Sequence, residues 1–150
     1  MKKTYIFALI ILASSCASTE MTIPDKLDPI HIANAKEFAF SQFQSCTTES
    51  YIPITTKIAT PSFSRSLTID VLKESCKEIN ESNGTLLKLE IQQTLVYKKT
   101  LIYRFKATYS KIEHHPEIRV YSTLANKYNG LILKPEYLEK YTPFKPETKI

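Results

Sequence analysis

The sequence predicts an α+β domain in which N-terminal helices pack on one face of an antiparallel four-stranded meander. Three observations carry that expectation. Between His31 and Asn83 the apolar residues recur at spacings of three and four, the period of a helix with one buried face. Between Gly84 and Pro135 the period shortens to two, most clearly at Leu101, Tyr103, Phe105, Ala107 and Tyr109. The helical stretch comes first and the strands follow without interleaving, which favours an antiparallel sheet with helices on one face.

Taken in order, the chain opens with Met1–Lys3 and the apolar run Tyr5–Leu12, the pattern of a signal peptide over residues 1–15. A bilayer span needs about 20 apolar residues, so the run is too short for a membrane helix. The following Leu12-Ala13-Ser14-Ser15-Cys16 resembles the lipobox of bacterial lipoproteins, with Ala13 where a large aliphatic residue usually stands. That resemblance implies a mature chain beginning at a lipidated, palmitate-bearing Cys16. The alternative is ordinary cleavage near Ser15 or Ala17. Residues 16–30 are polar, contain Pro24 and Pro29, and read as a tether.

The domain proper is expected over residues 31–135. Ile32, Ala35, Phe38, Ala39 and Phe43 give the first helix one apolar face from His31 to Cys46. Pro53 permits a short second helix or turn through Ile58, and Thr60–Ser64 reads as a breaker-rich loop. Thr68 is placed to cap a further helix with Asp70 in its first turn, and Asn83-Gly84 supplies the stop. Cys46 and Cys76 fall on the apolar stripes of the first and last helical segments. They are candidates for a disulfide in an exported protein, or for two buried free thiols.

In the strand region, Leu87, Leu89 and Ile91 alternate with Lys88 and Glu90. Tyr97–Ser110 reads as the longest strand. Lys111–Pro116 connects it to Glu117–Leu124, where Ile118, Val120, Ser122 and Leu124 share a face, and Tyr128–Leu133 closes the meander. The other face collects Lys88, Glu90, Arg104, Lys106, Arg119 and Tyr121, which reads as a solvated surface. Residues 136–150 are expected to be a C-terminal tail.

Composition excludes several functions. With 43% hydrophobic and 23% charged residues the chain is neither disordered nor low-complexity. Two glycines in 150 residues leave no glycine-rich phosphate loop. The formal charge of +5 includes Lys2 and Lys3 of the leader, and the other basic residues are interleaved with glutamates, so no nucleic-acid-binding face is drawn. His114-His115 point to opposite sides of an extended segment and have no third ligand, so neither a metal nor another cofactor is expected. None of the residues expected on the helix-facing side is a carboxylate or histidine, so no catalytic base is assigned. A one-residue slip would turn Glu90 inward and make it the first suspect.

The order of elements, with a last strand reading Asn126-Lys127-Tyr128-Asn129-Gly130-Leu131-Ile132-Leu133-Lys134-Pro135, resembles small lipoproteins of the nuclear transport factor 2-like superfamily. A cystatin-like roll of different wiring is the runner-up. The resemblance covers residues 31–135 and implies a curved, cone-shaped roll whose sheet curls round its helices, often enclosing a pocket, and a sheet face often used for homodimers. Tyr103, Phe105, Tyr109 and Ser122 would line that pocket or fill it as core. The expectation is therefore a lipid-anchored protein of the bacterial cell envelope, at the outer membrane in a Gram-negative cell. It would be a non-catalytic module binding a small apolar ligand or an envelope protein; the alternative is an isomerase- or dehydratase-like enzyme using the pocket.

Overall fold

A computed structural model describes residues 21–24 and 27–144. The signal peptide and Cys16 lie outside these residues. Three helices precede one four-stranded antiparallel sheet, so the α+β class holds.

The first helix, α1 (Pro29–Thr48), starts two residues earlier than its apolar pattern because Asp28 caps it and Pro29 occupies its first position. The Asp28 carboxylate accepts from the Ile30 N–H at 3.0 Å. Its buried face carries Ala35, Phe38, Ala39, Gln42, Phe43 and Cys46. The segment expected as a loop at Thr60–Ser64 is instead the short helix α2 (Pro61–Ser66). The breakers are its start signals, since Thr60 accepts from the Phe63 N–H and proline at the first position needs no donor. Helix α3 (Ile69–Ser82) is capped by Thr68, which accepts from the Val71 N–H at 3.3 Å, and carries Asp70 in its first turn. Gly84 follows its end at φ +80°, where a side chain would be strained. A disulfide joins Cys46 of α1 to Cys76 of α3, and the Asn80 amide donates to the Cys46 carbonyl at 2.6 Å.

The sheet runs β1 (Leu86–Tyr97), β2 (Thr100–Tyr109), β3 (Glu117–Thr123) and β4 (Tyr128–Lys134), each strand beside the next. The strand expected at Tyr97–Ser110 is cut at its start. Lys98 and Lys99 both take positive φ and turn β1 into β2, a two-residue hairpin loop without the usual glycine or asparagine. Register shifts at Leu87 and Gln92 insert bulges into β1. The first moves Leu86 into the core and leaves Leu87 58% exposed, and Ile91 is 38% exposed, so the expected inward trio Leu87, Leu89, Ile91 reduces to Leu89. Leu124 lies exposed beyond the end of β3, not on its inward face.

The helix-facing core joins Ala35, Phe38, Ala39 and Phe43 to Leu89, Tyr103, Phe105, Ala107, Ile118 and Val120. Phe38 stacks on Tyr128 of β4 with ring centroids 4.1 Å apart. The expected tail does not hang free as far as Phe144. The Tyr137 N–H donates to the His115 carbonyl at 2.8 Å, and Tyr141 is buried with Leu95 and Ile102 on the sheet's other face. Residues 135–144 thus form a strap across the outer face. At the sheet edges, Thr22 of the expected tether pairs with Val96, and Ala59 bridges to Tyr128.

Candidate functional site

Tyr103, Phe105, Tyr109 and Ser122, the residues expected to line a pocket, are all buried in the packed interior. The Ser122 hydroxyl donates to the carbonyls of Thr123 and Lys127, at 3.2 and 3.3 Å. The Tyr109 hydroxyl has no hydrogen-bond partner among the described residues. Burial pushes the Tyr103 and Tyr109 hydroxyls above the ordinary value of 10, so both stay protonated at neutral pH. Glu90 does not turn inward. It is exposed and pairs with Lys88 at 2.9 Å, and that hydrogen bond and charge hold its carboxyl below the usual range.

Among the described residues no three histidine, cysteine, aspartate or glutamate side chains come close enough to share a metal. His114 and His115 are exposed, with His115 Nδ1 3.2 Å from the Ala107 carbonyl. His31 Nε2 lies 3.3 Å from the Asn126 amide, and Cys46 and Cys76 are consumed in their disulfide, so neither thiol is available to pair with it.

The outer face departs most from expectation. Arg104 and Arg119 face away from the helices, but both are 0% exposed, as is Glu117. Sequence reading placed these arginines on a solvated surface; the strap removes that surface from water. Arg104 and Arg119 stand directly opposite each other on β2 and β3, an arrangement that repels unless something intervenes. Glu117 intervenes. Its Oε1 accepts from both Nε groups at 2.6 Å, and its Oε2 accepts from Arg119 Nη2 at 3.0 Å. Arg104 Nη1 also donates to Gln93 Oε1 on β1 at 2.6 Å, and further donors reach the strap. Arg104 donates to the Glu139 carbonyl at 3.2 Å and to the Leu138 carbonyl, and Arg119 donates to the Thr142 carbonyl at 2.7 Å. Tyr141 lies under both guanidiniums, with its ring centroid 4.6 Å from Arg119 and 5.6 Å from Arg104, and Tyr137 adds a second face at 4.8 Å from Arg104. Burial would raise the Glu117 carboxyl, but hydrogen bonds from Arg119 and Arg104 outweigh it and hold the group below its ordinary value of 4.5. With its carboxylate and guanidinium donors turned to one another, to Gln93 and to strap carbonyls, the cluster is built to fasten chain to sheet. It offers no reacting group to a substrate.

Open space lies elsewhere, and two of the clefts flank the edge strand β4. One cleft, of about 430 Å³, sits on the outer face between the Lys98 turn, Tyr121, Gly130 and Pro143. The other, of about 360 Å³, sits on the helix side, where Phe43 of α1, Leu72 and Ile79 of α3 and Leu131 and Leu133 of β4 form apolar walls. Leu131, Ile132 and Phe144 border both. Sequence reading missed this second cleft because it depends on how far α3 stands from the sheet, which periodicity does not encode. No described helix is long and apolar enough to cross a membrane. No family model matches the chain, and no curated protein or solved structure matches it.

Proposed function

We propose that this protein is a lipid-anchored lipoprotein of the bacterial cell envelope, at the outer membrane where the cell is Gram-negative. In this reading it acts as a non-catalytic binding or interaction module. The domain is a curved roll of nuclear transport factor 2-like kind. Bulges at Leu87, Gln92 and Asn129 support the curvature, since each bends its strand and increases local twist. The anchor rests on the leader and on Cys16 at its end, because acyl chains on one residue bury enough methylenes for stable attachment where a single chain is marginal.

One observation carries the binding reading. The interior that an enzyme of this shape would use is filled by Phe105, Tyr103, Ile118 and Val120, while the clefts border an apolar strand edge. The partner is a small apolar ligand or another envelope protein. Feeding cells a fatty-acid probe tests the anchor: wild type should incorporate label and Cys16→Ala should not. Release of wild-type protein as an unlabelled soluble species would refute the anchor. Turnover of a carbonyl or hydroxy-acid substrate that disappears in Tyr103→Phe, with the fold intact, would replace the binding reading with an enzymatic one.

A further inference from the structure

We infer that the end of the sheet holding the β1–β2 and β3–β4 turns is a membrane-docking surface, fitted to a bilayer that displays anionic phospholipid headgroups. The inference deepens the anchored reading above and rests on it. Three observations converge on this end.

The first is the path of the chain. Thr22 pairs with Val96 in antiparallel fashion, its N–H donating to the Val96 carbonyl at 3.1 Å and its carbonyl accepting from the Val96 N–H at 2.7 Å. In that arrangement the step from Thr22 back to Met21 follows β1 from Val96 toward Tyr97 and the Lys98-Lys99 turn. The chain therefore reaches the domain from beyond that turn. Cys16 stands six residues before Thr22, at most about 21 Å of extended chain. An anchor at Cys16 holds the turn end of the sheet close to the bilayer.

The second is charge. Thr100 pairs with Thr123, so the two turns adjoin. Lys98 and Lys99 are exposed on one of them. On the other, Lys127 donates to the carbonyls of Thr56 and Lys57, which sets the exposed Lys57 beside it. Four lysines from three distant stretches of sequence thus gather at one end. The His31–Asn126 contact brings the start of α1 here with Asp28, whose carboxylate is turned to its own helix cap.

The third is apolar exposure. Of the eleven large apolar side chains exposed among the described residues, five lie here, which singles this end out. Leu124 tips the β3–β4 turn, and the Ile58 carbonyl accepts from the Tyr128 N–H. Ile30 neighbours His31, and Met21 and Ile23 flank Thr22. Apolar side chains set among lysines suit a bilayer interface, where they enter the acyl boundary while the ammonium groups stay level with the phosphates.

The chain that begins at Ala17, the product of ordinary cleavage, carries no acyl group and isolates the surface. It should sediment with vesicles of equimolar phosphatidylglycerol and phosphatidylcholine at least about fiftyfold more tightly than with phosphatidylcholine alone, and less so as salt rises. Lys98→Glu with Lys99→Glu should weaken this at least about 25-fold, since each lysine near an anionic surface is worth about fivefold. Lys88→Glu with Lys111→Glu, the same change of charge at the opposite end of the sheet, should leave it within about threefold. The chain has no tryptophan, so Leu124→Trp places a single reporter at the surface. Its emission should move to shorter wavelength on the anionic vesicles, and that of Leu87→Trp, exposed at the far end of β1, should not.

Equal binding to both kinds of vesicle overturns the inference, as does an equal loss in the two charge-reversed variants or a shift at Leu87→Trp without one at Leu124→Trp. A Cys16 that takes up fatty acid in a chain without the anionic preference leaves the anchor standing and removes this surface. A Cys16 that takes up none, in a chain that keeps the preference, removes the anchor and leaves the surface.

Discussion

The two faces of β2 are both buried, and by opposite means. On the helix side Leu101, Tyr103, Phe105, Ala107 and Tyr109 pack against α1, β1 and β3 in one apolar core. On the other side Ile102 meets Leu95 and Tyr141, while Arg104 meets Glu117, Arg119 and the carbonyls of a strap more than thirty residues away in sequence. The first face is held by area removed from water, which tolerates imprecision. The second is held by donors that each need a placed acceptor. A strand pattern therefore reports which residues share a face, and it does not report whether that face is wet.

The largest expected effects put the two modes side by side. Phe105→Ala, at 0% exposure, should cost about 3–5 kcal/mol in denaturant unfolding, as for other buried aromatics. A loss under about 1 kcal/mol, the range of surface changes, would mean the apolar face is not the core. Glu117→Ala should cost a similar amount, about 3–5 kcal/mol, because it leaves two buried guanidiniums facing each other. A mild Glu117→Ala beside a severe Phe105→Ala would break the comparison and mark the outer face as solvated.

The disulfide closes a loop of 30 residues, for which the chain-entropy account gives about 3–4 kcal/mol. Double replacement of Cys46 and Cys76 by serine should lower stability by that order while leaving the β2–β3 core assembled, read by retained tyrosine near-ultraviolet dichroism. Collapse of the tyrosine signal would show that α3 matters to the sheet directly.

A smaller effect belongs to the charged face alone and appears as pH dependence. The Glu117 carboxyl is held below 4.5 in the folded chain. A group depressed on folding contributes stability that is complete above its unfolded value and is lost as pH falls through its folded value. Unfolding free energy should therefore be level in this respect from neutrality to about pH 5 and decline below about pH 4. Glu117→Gln should flatten that acid limb, whereas Phe105→Leu should lower the whole curve without changing its slope. The smallest effect is local: Thr68→Ala removes the cap of α3 and should cost about 1 kcal/mol.

Much of this fold is legible in the sequence because its signals are local. The cap at Thr68, the stop at Gly84 and the alternation from Leu101 to Tyr109 depend on neighbours a few residues away. The same locality explains the errors. Thr60-Pro61 marks both a loop and a helix start, and only Phe63 docking into the core decides between them. The bulges at Leu87 and Gln92 shift the β1 pattern at points where no glycine or proline announces them. The burial of Arg104 and Arg119 depends on a distant strap. Its signals were present as Tyr137, Tyr141 and Phe144, spaced three and four apart in a stretch expected to be solvent-exposed, and as the Glu117-x-Arg119 pair on one strand face. Read together they point to aromatic lids over cations. The candidate cleft was not legible at all, since a gap between α3 and β4 is a property of tertiary placement.

The central claim is that the strap seals the charged face, and the chain supplies its own control. It has three arginines, of which Arg65 on α2 is exposed while Arg104 and Arg119 are fully buried. Native protein treated with phenylglyoxal and mapped by mass spectrometry should be modified at Arg65 with Arg104 and Arg119 protected, and Tyr141→Ala should release that protection. Modification of all three arginines at comparable rates in the native wild-type chain would contradict the account.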